Sequence, residues 1–149
     1  MSTLTVFTER FNEILSEREL KPSVLAALLG VHKNTVCRYA RGAQLPDLRM
    51  ALTMADHFGF TLDYLLGRSD EGGAFAAKER EVFKDRFAFL MKKFGTNKYR
   101  IAKATGLHPS VLYRWQEGKC SPELDSIVIL ADYFDCSVEY ILGRSGNIR

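Results

Sequence analysis

Cysteine is scarce: Cys37, Cys120 and Cys136 are the three in 149 residues, and no two of them form a CxxC pair. An odd, scattered set excludes a disulfide framework, and it lacks the closely spaced Cys/His ligands of a structural zinc site. No apolar run approaches the roughly 18 residues needed to span a bilayer. The opening MSTLTVFTERFNE has no basic region followed by an apolar stretch, so no secretory signal is expected. Also missing are a Ser/His/Asp or Cys/His constellation and a glycine loop able to cradle phosphate, so neither catalysis nor a cofactor is expected. Charge of one sign is short as well, with 21 Lys+Arg against 18 Asp+Glu for a net of +3. That excess does not by itself establish a polyanionic partner. What is present, 46% hydrophobic and 26% charged residues, fits a folded globular chain rather than a disordered one. The expectation is a reduced, cytoplasmic protein without metal.

An internal repeat sets the architecture. Displacing the chain by 76 residues aligns 7–69 with 83–145 without a gap, and 18 of the 63 positions are identical. The matches include Phe7/Phe83, Phe11/Phe87, Ala26/Ala102, Gly30/Gly106, Arg38/Arg114, Gly42/Gly118, Pro46/Pro122 and Phe58/Phe134. Both copies close alike, in DYLLGRS at 63–69 and EYILGRS at 139–145. The period exceeds the roughly 20–50 residues of solenoid repeats. It describes a duplicated domain of about 65 residues, a size that folds alone with modest stability. The expected division is a first domain over 1–70, a linker over 71–82 and a second domain over 83–149. Asp70-Glu71-Gly72-Gly73 is the expected flexible joint, and AFAAKEREVFKDRFAFLMKK from Ala74 onward reads as one long helix.

Each copy reads as five helices and no sheet. Phe7, Phe11, Ile14 and Leu15 form one apolar stripe at helical spacing. Pro22 suits the first position of a second helix, where its missing N–H costs nothing, and Gly30 ends that helix. A third helix spans about 33–41 up to Gly42. Leu48, Leu52, Ala55 and Phe58 mark a fourth, and Leu62, Leu65 and Leu66 a fifth, closed by Gly67. The second copy repeats the pattern, its third helix at about 109–117.

The second and third helices carry the motif. In LAALLGVHKNTVCRY, Ala26 allows close approach of the two helices and Gly30 permits a left-handed turn between them. Leu25, Leu29, Val31, Val36 and Tyr39 clamp the pair at a steep angle. This is a helix-turn-helix pattern. In the second copy Ile101, Ala102, Gly106, Leu107, Leu112 and Trp115 fill the same places, with Thr105 standing where Leu29 does. Tyr39 and Trp115 fall on the inward stripe, where core packing is expected.

The segments LAALLGVHKNTVCRYARGAQLPDL with ADHFGFTLDYLLGRS, and IAKATGLHPSVLYRWQEGKCSPEL with ADYFDCSVEYILGRS, resemble phage-repressor (Cro/C1, or Xre) type helix-turn-helix domains. The resemblance implies an all-α chain of two tandem five-helix, lambda-repressor-like domains, each placing its third helix in the DNA major groove. Pro22 and Lys98 stand where that family often has Gln, and His32 and His108 where it often has Ser. Carried over position by position, the motif implies base contacts from Lys33, Asn34, Cys37 and Arg38, and from Pro109, Ser110, Tyr113 and Arg114. Arg38 and Arg114 are the strongest of these, because a guanidinium fork matches guanine O6 and N7. Phosphate contacts are expected from His32, Arg41, Lys98, Arg100, His108 and Lys119, with helix capping the competing role for the two histidines.

The function these readings imply is sequence-specific binding of double-stranded DNA by a transcriptional regulator, a repressor by type. The alternative is an antitoxin- or antirepressor-like interaction or dimerisation module in which one copy no longer binds DNA. The partner is duplex DNA, met by a homodimer or by the two copies of one chain acting as a pseudo-dimer. No membrane contact and no small-molecule domain are expected. Charge placement separates the copies. Between Asp85 and Glu117 there is no acidic residue, while Arg86, Lys92, Lys93, Lys98, Arg100, Lys103 and Arg114 are basic. The matching stretch of the first copy mixes Arg10, Arg18, Lys21, Lys33 and Arg38 with Glu13, Glu17 and Glu19.

Overall fold

The structure, a computed structural model, describes residues 2–70 and 82–145. They form two compact units, one on each side of residues 71–81. The described residues contain ten helices and no strand.

In unit one, α1 (Thr3–Glu17) starts where Ser2 accepts a hydrogen bond from the Thr5 N–H at 3.2 Å. Its stripe of Phe7, Phe11, Ile14 and Leu15 is buried. α2 (Pro22–Leu29) has proline in its first turn and ends at Gly30, whose φ of 71° is a conformation that glycine adopts without strain. α3 (Lys33–Ala40) is capped by His32, whose Nδ1 accepts from the Asn34 N–H at 3.1 Å. α4 (Leu48–Phe58) is capped by Asp47, and α5 (Leu62–Leu65) by Thr61.

Unit two repeats the order with α6 (Phe83–Lys93), α7 (Lys98–Thr105), α8 (Pro109–Gln116), α9 (Leu124–Phe134) and α10 (Val138–Ile141). Asn97 caps α7 through Oδ1, which accepts from the Tyr99 and Arg100 N–H groups at 3.0 Å each. His108 caps α8 as His32 caps α3, accepting from the Ser110 N–H at 3.1 Å. Thr105, the polar substitute for Leu29, turns its hydroxyl to good use. It donates to Ile101 O at 2.7 Å and accepts from the Leu107 N–H at 3.2 Å, so the helix end needs no apolar residue there.

The repeat is written into the cores. Phe7 stacks on Phe11 at 5.4 Å between ring centroids, and Tyr39 meets both edge-on at 6.4 and 6.3 Å. Phe83 and Phe87 stack at 5.6 Å, with Trp115 edge-on at 6.2 and 6.3 Å. Such offset and edge-to-face pairs add about 0.5–1.5 kcal/mol each beyond the area they bury. They anchor the third helix of each unit, α3 and α8, against its first helix, so the outer face of that helix is held rigidly. The closing motif is also duplicated. Arg68 pairs with Asp63 at 3.2 Å, and Arg144 pairs with Glu139 at 2.7 Å with both side chains buried. Arg10 lies over the Tyr64 ring and Arg86 over the Tyr140 ring, at 4.0 and 4.1 Å.

One expectation needs correction, and two others gain detail. The long helix from Ala74 does not run through Val82, whose backbone is extended (φ −67°, ψ 138°); α6 begins at Phe83. A β-branched residue favours that extended cap position, and Asp85 in the first turn suits the positive end of a helix beginning there. Residues 74–81 of the expected helix and most of the 71–82 linker lie outside the described residues. The third helices each stop one residue early, with Arg41 and Glu117 as C-caps. In α4 the buried face is Ala51, Met54, Ala55 and Phe58, while Leu48 and Leu52 are half-buried. Small residues at 51 and 55 let α4 sit close to its neighbours, leaving the larger leucines at the rim.

Candidate nucleic-acid interface

The outer face of α3 presents Lys33, Asn34 and Arg38 to solvent, with Cys37 half-buried beside them. Val36 and Tyr39 occupy the opposite, buried face. Arg38 is not a loose side chain. Its Nε donates to Gln44 Oε1 at 3.1 Å, and its Nη2 reaches Thr35 Oγ1 at 3.5 Å. Gly42, at φ 74°, makes the turn that carries Gln44 back beside the helix. Arg41 is exposed at the C-cap. Burial raises the Tyr39 hydroxyl above its ordinary pKa, the Asp47 carboxylate adds to this, and the Arg38 guanidinium opposes it.

On α8, Ser110, Tyr113 and Arg114 are exposed and Pro109 is half-buried. The Arg114 side chain makes no hydrogen bond or ion pair among the described residues; its backbone carbonyl accepts from the Lys119 N–H at 2.9 Å. The fold brings three predicted residues together. Lys98 Nζ, from the start of α7, lies 4.7 Å from the Tyr113 ring centroid, and Lys119 Nζ, from beyond α8, lies 5.4 Å from it. Two ammonium groups thus flank one exposed aromatic ring on the outer face of α8. Arg100 is not part of this group; its Nη1 donates to Gly95 O at 3.3 Å, in the turn before α7.

The two histidines act as caps through Nδ1. An Nδ1 that accepts carries no proton, which leaves Nε2 as the outer nitrogen of each ring. Ser110 is drawn into the same arrangement, its hydroxyl 2.7 Å from His108 Nδ1.

Residues 88–141 match a helix-turn-helix family model. The matched residues run from within α6 to the end of α10, a range that takes in α7, α8 and α9 of unit two. No curated protein and no solved structure matches the chain. No helix among the described residues is long and apolar enough to cross a membrane.

The sequence reading missed two features. Gln44 was not singled out, since a polar residue in a loop carries no periodic signal. The exposed pair Val24 and Leu28, 47% and 55% accessible on α2, was also missed. Its signal was present, because VLAALL at 24–29 holds more apolar residues than one helix face can bury. The matching residues of unit two are Arg100 and Ala104.

Proposed function

We propose that the chain is a sequence-specific double-stranded DNA-binding regulator of transcription, acting as a repressor in the cytoplasm, with both units serving as helix-turn-helix domains. It is a binding protein without catalytic chemistry of its own. The observation that carries this reading is the α8 face. A rigidly backed helix within the helix-turn-helix match presents Arg114 and Tyr113 outward, and Lys98 and Lys119 flank it. Phosphate contacts set register while side chains at the groove read base edges. Lys98 and Lys119 take the first role and Arg114 the second, joined by Ser110 and Tyr113, and backbone contacts are assigned to Arg100 and His108 as well.

Unit one carries the same scaffold, so α3 is its reading helix through Lys33, Asn34, Cys37 and Arg38, with Arg41 and His32 toward phosphate. Half-sites for such domains lie about 34 Å apart, one helical turn of DNA. Thirteen residues, 70–82, span at most about 43 Å when extended, so chain length permits both units to engage one site. Because the two reading faces differ, the half-sites are unlike in sequence. The test is titration of duplex DNA by the full chain across a salt series. Binding that weakens steeply with salt supports the reading, and no binding at low salt overturns it.

A second reading rests on Val24 and Leu28. An apolar pair where unit two has Arg100 and Ala104 suits a protein partner better than phosphate, making unit one an interaction module. Under that reading Arg38→Ala leaves DNA binding unchanged.

A further inference from the structure

We propose that Gln44 is a positioning residue that sets which edge of Arg38 faces the DNA, making unit one the more discriminating reader of guanine. The inference rests on the proposed DNA reading by α3. A guanidinium offers five N–H donors in a planar fork. Gln44 and Thr35 engage the Nε and Nη2 side of that fork, at 3.1 and 3.5 Å. The end edge, formed by Nη1 and the second N–H of Nη2, is left to donate. Two parallel donors on that edge match the two acceptors of guanine, O6 and N7, in the major groove. Holding a long side chain in its bound rotamer before contact removes much of the ordering cost of binding, worth roughly 2- to 10-fold in affinity for one side chain.

Unit two lacks the device. The positions matching Thr35 and Gln44 are Val111 and Cys120, neither with a side-chain oxygen, and the Arg114 guanidinium has no hydrogen-bond or ion-pair partner among the described residues, its backbone carbonyl alone accepting from the Lys119 N–H. The two retained arginines therefore differ in kind. One is oriented, and the other is free to adapt.

The test uses the full chain and a duplex selected by it from a random pool, compared with duplexes in which each guanine is exchanged in turn. Arg38→Ala first identifies the guanine it reads, as the position whose preference disappears. Gln44→Met, which keeps length but removes the acceptor, is expected to lower preference for that guanine by roughly 2- to 10-fold. It should leave the affinity for the exchanged duplex, the salt dependence and the melting temperature unchanged, since Gln44 is exposed. Gln44→Glu, which keeps an acceptor, should retain the preference ratio, and the double variant should match Arg38→Ala alone. If Arg38→Ala loses the preference and Gln44→Met keeps it, the positioning role is wrong. An equal loss on both duplexes also overturns it. If Arg38→Ala itself changes nothing, the DNA reading by unit one fails, and this inference falls with it.

Discussion

Removing Lys98 or Lys119 tests the phosphate-contact assignment in unit two. Both ammonium groups sit near the exposed Tyr113 ring, at 4.7 and 5.4 Å from its centroid. The ring therefore holds each charge beside α8 through attraction worth about 0.5–1 kcal/mol at an exposed site. If each lysine meets one phosphate, each releases counterions, and its loss lowers the slope of log K against log salt by about 0.9. Between 50 and 200 mM salt the parent thus loses about 3.5-fold more affinity than either single variant, and about 12-fold more than the double variant. The matching residues of unit one are Pro22 and Ala43, which carry no charge, so the second unit alone accounts for the change. Fluorescence anisotropy with a labelled duplex, repeated across the salt series, reads the slopes directly. Parallel slopes for parent and Lys98→Ala/Lys119→Ala would refute the assignment and leave the two lysines as a solvated surface.

Further outcomes follow from the same geometry. Arg114→Ala should cost about 1–3 kcal/mol and relax base preference in one half-site only, as a selection profile of the variant would show. Glu139→Ala removes the carboxylate that pairs with the buried Arg144 and should destabilise unit two, by up to about 3–5 kcal/mol in a denaturant titration. Asp63→Ala should cost less, because Arg68 is more exposed than Arg144. The raised pKa of Tyr39 favours the neutral phenol in the folded state. Its contribution is fully present below the unfolded value of about 10 and is lost as pH rises through the folded value. Tyr39→Phe should therefore flatten the alkaline loss of stability in unit one, read from melting temperatures at pH 8 to 11.

Much of the fold was legible because the repeat supplied two readings of each position. Tyr39 and Trp115, aligned by the 76-residue displacement, pack on equivalent phenylalanine pairs, and His32 and His108 cap equivalent helices. Helix periodicity reports which residues turn inward, but it does not report how closely two helices approach. That is why Leu48 and Leu52, which mark α4 in the sequence, are half-buried while Ala51 and Met54 lie fully buried beside Ala55. The start of α6 escaped for a related reason. An unbroken run of helix formers hides a cap that depends on the backbone angles of Val82. At the interface, charge and motif position identified Lys98, Tyr113 and Lys119 singly. Their convergence depends on how α7 crosses α8, which spacing along the chain does not encode. Gln44 reaches Arg38 only because Gly42 reverses the chain, and a side-chain contact across a turn leaves no pattern in sequence.

Selection of duplexes bound by the full chain from a random pool tests the central claim most directly, that both units read one DNA site. The account predicts enrichment of a site with two unlike half-sites centred about 34 Å apart, one helical turn. A strictly palindromic site would mean that a single kind of unit reads DNA, and a pool without any enriched sequence would contradict specific recognition altogether.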